Sequence, residues 1–190
     1  MSSMTSGSPR TVEPEDDILE QLLEQHDRIR QLFAETLESE RDAKQQCFDE
    51  LRALLAVHET AEEMILRPVA KRVAGKEEAE ARNEEESQAN KELAELEKLD
   101  VHSAEFDARL REFQRAVEDH ARHEEQEEFP RIRAECDIDD RRSMGRRLRT
   151  AERMAPTHPH PRTAGSTAAQ WTVGPFAALL DRAKDALRRD

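Results

Sequence analysis

Two short segments of the chain combine a histidine and a glutamate at the same spacing. Glu62 follows His58 by four residues, and Glu124 follows His120 by four residues. Residues four apart lie on one face of a helix, about one turn from each other, so each pair can approach a single point. Imidazole and carboxylate together suit iron, manganese or zinc, and a carboxylate can also bridge two ions. The two pairs therefore indicate a metal site.

The two segments match beyond these pairs. HETAEEMILRP runs from His58 to Pro68, and HARHEEQEEFP runs from His120 to Pro130. The His, the Glu and the Pro are each offset by 62 residues between the two segments. Such internal similarity is typical of a duplicated structural unit, here a pair of helices. A duplicated helical hairpin would give the metal site pseudo-twofold symmetry.

The helix before each segment offers one further ligand. His26 lies 32 residues before His58, and Glu86 lies 34 residues before His120. Three His and three Glu are too many for one ion, and they leave about one open position on two six-coordinate ions. An open position indicates chemistry or small-ligand binding rather than a closed structural site. The predicted ligands are His26, His58, Glu62, Glu86, His120 and Glu124.

Spacing alone is a weak signal, because His123 with Glu127 has it too. Position 123 lies on a polar helical face, whereas position 120 continues an apolar stripe. That stripe comprises Phe106, Leu110, Phe113 and Val117. Burying three His and three Glu without a cation would cost on the order of several kcal/mol for each unpaired charge. A metal-free bundle is therefore the weaker interpretation.

Four segments of the chain show helical patterns. The first, second and fourth have apolar residues at alternating steps of three and four, which keeps one face buried. The third, roughly Glu77 to Leu99, is indicated by its Ala, Glu and Lys content. Short connections make consecutive helices antiparallel neighbours. The predicted fold is all-α, an antiparallel up-down four-helix bundle with a C-terminal helical extension.

Composition divides the chain into three parts. Residues 1–17 predict a disordered segment without a signal peptide, and residues 18–135 form the predicted bundle. Residues 136–190 predict an extension with a helix from Asp139 to Met154, a Pro-rich linker and a short helix after Gly174-Pro175. The extension is basic, since residues 131–190 carry 13 Lys/Arg and 8 Asp/Glu. We expect it to pack on the bundle or on a second copy of the chain in a homodimer.

Charge and composition also limit the partners. Residues 1–130 carry 17 Lys/Arg and 35 Asp/Glu, and so acidic a body repels phosphate backbones. No run of apolar residues is long enough to span a membrane. Two cysteines, Cys47 and Cys136, lie far apart in no CxxC arrangement, as is typical of reduced thiols. We therefore expect a cytoplasmic protein with neither a nucleic acid nor a membrane as its partner.

The motifs LLEQHDRI, HETAEEMILRP and HARHEEQEEFP resemble those of the hemerythrin-like, or HHE cation-binding, family, over about residues 18–133. The resemblance implies an oxo- or hydroxo-bridged non-heme di-iron centre. It also implies terminal ligation by the three histidines and bridging by the two paired glutamates, namely His26, His58, His120, Glu62 and Glu124. The family usually has His on the third helix, where this chain has Glu86, with Glu84 and Glu85 as alternatives.

The substitution at Glu86 bears on the function that the resemblance implies. A carboxylate adds negative charge and a hard oxygen donor, which favours ferric over ferrous iron, whereas reversible oxygen carriage needs ferrous iron. We therefore expect a cytoplasmic di-iron protein that acts on hydrogen peroxide, with catalase-like turnover. The alternatives are non-enzymatic binding or sensing of oxygen, nitric oxide or iron, and an interaction protein whose extension reports the metal's redox state. Manganese is the alternative metal.

Overall fold

The structure, a computed structural model, describes residues 16–73, 85 and 88–154. These residues form helices and no strand. We label the helices α1 to α5 in chain order. The first two are α1, Ile18–Glu38, and α2, which comprises Arg41–Ala61, Glu62–Leu66 and Arg67–Val73. The others are α3, residues 88–96; α4, which comprises Ala104–His123, Glu124–Glu128 and Phe129–Glu135; and α5, Ile138–Met154.

The observed helices confirm the all-α bundle that the sequence predicts. In the described part of the third predicted helix, the helical residues end at 96, ahead of a turn, and Leu93 and Leu96 are buried as expected. The predicted linker and the helix after Gly174-Pro175 lie outside the described residues. No helix among the described residues is long and apolar enough to cross a membrane.

Two apolar clusters fill the bundle, and a polar layer separates them along the helix axes. Along α1, Leu22 belongs to one cluster and Ile29 to the other, and His26 lies between them. Along α4, Phe113 and Phe129 belong to opposite clusters in the same way. Each cluster consists of side chains that are nearly inaccessible to solvent. The described residues among the predicted ligands thus lie between two water-excluding layers, where electrostatic interactions are strong.

Each of the two repeated segments contains a π-helical turn that begins at its glutamate. The N–H of Arg67 bonds to the carbonyl of Glu62, five residues back, and the N–H of Phe129 bonds in the same way to Glu124. A proline follows each of these donors. Proline lacks an N–H and its ring clashes with the carbonyl four residues back, so a wider turn accommodates it. The repeated proline thus explains the repeated turn beside the metal-site glutamates.

The C-terminal helix α5 packs on α1 and on α2. Met144 and Leu148 of α5 are buried in the same apolar cluster as Leu22 of α1. A side chain at Gly145 would place its Cβ 2.0 Å from the backbone oxygen of Asp16, so only glycine allows this close approach. The described part of the basic extension is therefore docked on the acidic body.

Asp17, which the sequence places in a disordered segment, is an ordered part of the bundle. Its carboxylate accepts a 3.0 Å hydrogen bond from the N–H of Leu19 and so caps α1. The same carboxylate accepts a 2.9 Å bond from Nε of Arg141 in α5. The neighbouring Asp16 pairs with Arg149 of the same helix. Contacts with α5, distant in sequence, thus position Asp16 and Asp17, the described residues at the end of that segment.

Candidate metal centre

Four buried side chains meet in the polar layer. His26, His58, Glu62 and Glu124 each offer one nitrogen or oxygen atom, and these atoms all lie within 4.8 Å of one another. The four residues are between 0% and 4% exposed. One comes from α1, two from α2 and one from α4. The cluster therefore depends on the packing of three helices.

His120 lies at the edge of this cluster, one turn before Glu124 in α4. Its Nε2 atom is 3.3 Å from Oε1 of Glu124 and 3.8 Å from Oε2 of Glu62. Its side chain is 13% exposed, which makes it the most accessible of the three imidazoles. The structure thus brings together five of the six residues that the sequence predicts. The sixth, Glu86, lies outside the described residues.

The separations within the cluster match those of atoms bound to a common ion. Nε2 of His58 is 3.2 Å from Oε1 of Glu62, and Nε2 of His26 is 3.4 Å from Oε2 of Glu124. Two ligand atoms that each lie about 2.1 Å from one ion, at tetrahedral or octahedral angles, are about 3.0–3.4 Å apart. The geometry therefore fits a metal cation among these residues.

Several polar atoms that face the middle of the cluster have no hydrogen-bond partner in the described part of the chain. They are both carboxylate oxygens of Glu62 and of Glu124, and Nε2 of His26 and of His120. Buried polar atoms in proteins are nearly always hydrogen-bonded, and a buried unpaired charge is costly. Bound cations would satisfy these atoms together, which is a second and independent sign that the residues suit a metal.

Each of the three imidazoles also has a side-chain hydrogen-bond partner at its other ring nitrogen, Nδ1. The Nδ1 atoms of His26, His58 and His120 lie 2.8, 2.9 and 3.0 Å from side-chain oxygens. The respective partners are Glu125, Gln25 and Glu85. An Nδ1–H that donates to such an oxygen leaves the Nε2 lone pair facing the cluster, which is the tautomer that a metal ion requires. These contacts orient all three imidazoles for ligation.

The partners of His26 and His58 each form a hydrogen bond with a further side chain. Oε1 of Glu125 also accepts a 2.6 Å bond from Arg30. Gln25, which accepts from His58, donates a 2.8 Å bond through its Nε2 to Glu152 of α5. The C-terminal helix is therefore linked to a candidate ligand through one side chain. These partners could not be predicted from the sequence, because no local pattern reveals contacts between residues as far apart as Gln25 and Glu152.

The protonation of the cluster reflects its crowded charges. Although burial opposes a charge on either residue, His120 and Glu124 stabilise each other, so the pKa of His120 is well above and that of Glu124 well below the usual value. His26 has a raised pKa for a similar reason, since Glu124 and Glu62 outweigh its burial. Burial and the neighbouring imidazoles lower the pKa of His58. Metal binding must therefore displace protons from His26 and His120.

Two further carboxyls near the cluster have raised pKa values. Burial, together with the charge of Glu62, raises the pKa of Glu59 to about 8. Burial, together with the charge of Glu124, raises the pKa of Glu128 to about 7. Neither residue was singled out from the sequence, where glutamate is too common to mark a position. Both add to the acidic surroundings of the site.

A cavity of about 290 Å³ opens next to the cluster. His26, His58 and His120 lie on its wall, together with Glu59. The other lining residues in the described part of the chain come from α2, α3, α4 and position 85; they are Leu55, Glu85, Gln88, Ala89, Glu92, Phe113, Ala116, Val117, Asp119, Ala121 and His123. Exposed residues such as Gln88 and Asp119 mark where the cavity reaches solvent, between α3 and α4. A small molecule can thus reach the imidazoles from one side.

Comparison with known proteins agrees with this description. Residues 17–132 match the sequence profile of the Hemerythrin HHE cation binding domain family. An uncharacterised hemerythrin-like protein from Schizosaccharomyces pombe is 24% identical over 138 residues, which cover 71% of this chain and 68% of that protein. The crystal structure of a hemerythrin HHE cation-binding domain-containing protein from Mycobacterium kansasii superposes with a TM-score of 0.67. That match has 21% identity and covers 87% of this chain and 98% of the other.

The fold and the His/Glu cluster define a metal-binding helical bundle. The profile match extends over most of the chain, so the protein belongs to the hemerythrin HHE cation-binding family. The family resemblance predicted from the three motifs is thereby confirmed. Glu85 is the residue of the third helical region that the structure places against His120, at Nδ1 rather than at the Nε2 that faces the cluster. The alternatives Glu84 and Glu86 both lie outside the described residues.

Proposed function

We propose that this protein binds a pair of redox-active ions, iron with manganese as the alternative, and acts on hydrogen peroxide or oxygen with catalase-like turnover. The proposal of two ions rests on one observation: the two oxygens of each carboxylate lie near different imidazoles. Glu62 presents Oε1 to His58 and Oε2 to His120. Glu124 presents Oε1 to His120 and Oε2 to His26. Carboxylates placed in this way are suited to bridging two ions.

The same distances divide the ligands unequally between the two positions. His26 and His58 would hold one ion, and His120 would hold the other, each with one oxygen from Glu62 and one from Glu124. The position at His120 therefore has fewer protein ligands among the described residues, and His120, like His26 and His58, lies on the wall of the cavity. Glu86 is retained as a proposed ligand there. An incomplete set of protein ligands next to a cavity favours reaction or ligand binding over a purely structural role.

The surroundings favour peroxide chemistry over reversible oxygen carriage. Bound iron or manganese would supply redox chemistry, in which one peroxide molecule is oxidised to oxygen and another is reduced to water. Glu85 places a further carboxylate against His120, which stabilises the more highly charged oxidation state of a metal. The raised pKa values of Glu59 and Glu128 keep these two carboxyls wholly or partly protonated at neutral pH, so they add little charge. The apolar clusters above and below exclude water, and Glu59 on the cavity wall can hydrogen-bond a small ligand beside the imidazoles. The proposed ligands are hydrogen peroxide, oxygen and nitric oxide.

The first experiment compares the wild type with Glu124→Gln. The amide keeps the shape but not the charge, so metal content should fall from about two ions per chain by half or more, and peroxide-driven oxygen evolution should fall with it. Glu127→Gln is the matched control, because Glu127 is exposed and has the same spacing from the exposed His123. Wild-type protein that takes up neither iron nor manganese would overturn the proposal. So would oxygen evolution that Glu124→Gln leaves unchanged.

A second candidate function is sensing, and the hydrogen bonds that link His58 through Gln25 to Glu152 favour it. Through these bonds, a change at the metal could alter the docking of α5. A sensor would bind oxygen, nitric oxide or iron and change the exposure of the C-terminal extension to proteolysis, without turnover. Peroxide-driven oxygen evolution by purified protein separates the two functions, because only the first produces it.

Two further parts of the proposal concern where and with what the protein acts. We propose a cytoplasmic location, on the basis of two free cysteines, Cys47 and Cys136. We also propose that the basic extension can mediate a homodimer, with neither a nucleic acid nor a membrane as partner. Sedimentation of the full chain and of a chain truncated after residue 154 tests the dimer, which should be lost on truncation.

A further inference from the structure

The cavity beside the imidazoles is much larger than hydrogen peroxide or oxygen requires. It has a volume of about 290 Å³. One water molecule occupies about 30 Å³ in the liquid, and an engineered apolar cavity of about 150 Å³ in another protein binds benzene. A site that served only a diatomic or a peroxide molecule could be filled by side chains without loss. The volume is therefore sufficient for a ligand larger than peroxide or oxygen.

The walls of this cavity are mainly apolar between its inner end and its mouth. Leu55 and Phe113 line it and are buried in the apolar cluster next to the site. Ala89 of α3 and Val117 of α4 are half-buried, pack against the same cluster and also line the cavity. Such walls favour an apolar molecule, because apolar surface moved out of water contributes about 25 cal/mol for each Å².

Charge at the two ends restricts the ligand further. Glu85, Glu92 and Asp119 line the cavity on the side that reaches solvent, so an anion would be repelled on entry. At the inner end three imidazoles face a site suited to metal cations, which would repel a positively charged ligand. An uncharged molecule meets neither obstacle.

From volume, walls and charge together, we infer that this cavity binds an uncharged organic molecule with an apolar body of about the size of a substituted benzene, and that the matching substrate class is an organic hydroperoxide. The hydroperoxide group lies at the imidazoles and the apolar body lies between Ala89 and Val117. The reaction converts two hydroperoxides into two alcohols and one molecule of oxygen, so one hydroperoxide is the oxidant, the other is the reductant, and no further reductant is needed. The assignment of the reactive group depends on the proposed peroxide function. The binding of an uncharged aromatic molecule depends only on the cavity.

Binding is tested with cumyl alcohol, the unreactive alcohol that corresponds to cumene hydroperoxide, and with benzoate, an anion of similar size. Ligand-observed NMR on the full chain should show saturable binding of cumyl alcohol that is at least about tenfold tighter than that of benzoate. Equal binding of the two probes, or binding of neither, would overturn the inference.

Two variants locate the binding. Val117→Phe places a ring in the passage, and Ala116→Trp narrows the mouth from an exposed helical position that tolerates a large residue. Each should weaken cumyl alcohol binding by at least about tenfold. Val69→Phe is the control, because Val69 is a half-buried valine packed against the opposite apolar cluster, and it should leave binding unchanged. If the two cavity variants bind as tightly as the wild type, the site lies elsewhere and the inference is wrong.

Activity measurements separate this inference from the proposed function. If cumyl alcohol binds but neither hydrogen peroxide nor cumene hydroperoxide is consumed, the cavity is a binding site and the peroxide function fails. If hydrogen peroxide is consumed but cumyl alcohol does not bind, the function stands and the inference fails. If both hold, Val117→Phe should lower the rate with cumene hydroperoxide more than the rate with hydrogen peroxide.

Discussion

The two repeated segments have the same inner geometry and different surroundings. In both, the imidazole Nε2 lies 3.2–3.3 Å from the glutamate four residues later, and a π turn begins at that glutamate. His58 is 4% exposed and has the neutral Gln25 at Nδ1, whereas His120 is 13% exposed and has the carboxylate of Glu85. Repetition in sequence therefore accounts for the metal-binding geometry. The side chains around each half decide which one is accessible and charged.

The largest expected difference between the halves is in the stability of the metal-free protein. His120→Ala removes one of the two positively charged imidazoles beside the buried Glu124 and leaves His26 as the remaining one, which should cost about 3 kcal/mol at neutral pH. His58→Ala removes an imidazole whose lowered pKa keeps it largely uncharged, and it should cost about 1–2 kcal/mol. Urea unfolding of metal-free protein measures both values.

His123→Ala provides the baseline for these two variants, because His123 is exposed on the same helix as His120. Its substitution should change stability by less than about 0.5 kcal/mol. If His58→Ala destabilises the metal-free protein more than His120→Ala does, the two halves are not electrostatically distinct in the way the pKa values of their histidines indicate.

The stability of the metal-free protein should fall as the pH rises, because the half of the site that contains His120 is charged. The pKa of His120 is raised in the folded state, so its contribution is fully present below about pH 6.5 and is lost as the pH rises through the raised value. Glu59 acts in the same direction, because a carboxyl with a pKa of about 8 resists the ionisation that favours the unfolded chain above about pH 4.5. Metal-free protein should therefore become less stable between about pH 6 and pH 9.

Bound metal should reverse this trend, because it competes with protons for the imidazoles. The increase in melting temperature on adding zinc, a metal without redox chemistry, should grow as the pH rises over the same range. Calorimetry of metal-free and zinc-loaded protein at several pH values measures it. A stabilisation by zinc that is constant with pH would mean that His26 and His120 release no protons on binding.

The smallest expected effects come from substituting the residues that hydrogen-bond to the imidazoles at Nδ1 or that orient such a partner. Glu152→Ala removes the acceptor that orients Gln25 behind His58, and it should lower metal affinity by about tenfold with little change in helix content. Glu85→Gln replaces the partner of His120 and should weaken binding by a similar or smaller factor. Competition with a coloured chelator measures both affinities.

Glu135→Ala, an exposed substitution at the end of α4, is the control for these outer residues and should leave the affinity unchanged. If Glu152→Ala also leaves it unchanged, the C-terminal helix does not contribute to the site. Deletion of residues after 154 keeps Glu152 and should preserve metal binding, which separates the role of α5 from that of the rest of the extension.

Most of the fold and the inner His/Glu cluster could be predicted because local rules govern them. The apolar stripe through Phe106, Leu110 and Phe113 predicts a helix and its buried face, and the structure buries all three. The same stripe distinguishes His120 from His123, which the structure leaves exposed. Asp17 shows the limit of such rules. The composition of residues 1–17 suggests disorder, but Asp17 itself is held in the bundle by a hydrogen bond from Arg141 of α5.

By itself, the sequence determined the helices, the repeated His/Glu pairs and the prolines that follow them, because periodicity and backbone chemistry act over one or two helical turns. Only the tertiary structure decided that Gln25 bonds to His58 and Glu152 to Gln25, that Glu85 bonds to His120, and that a cavity opens beside the three histidines. These features depend on how separate helices pack against one another, and no spacing along a single helix encodes that.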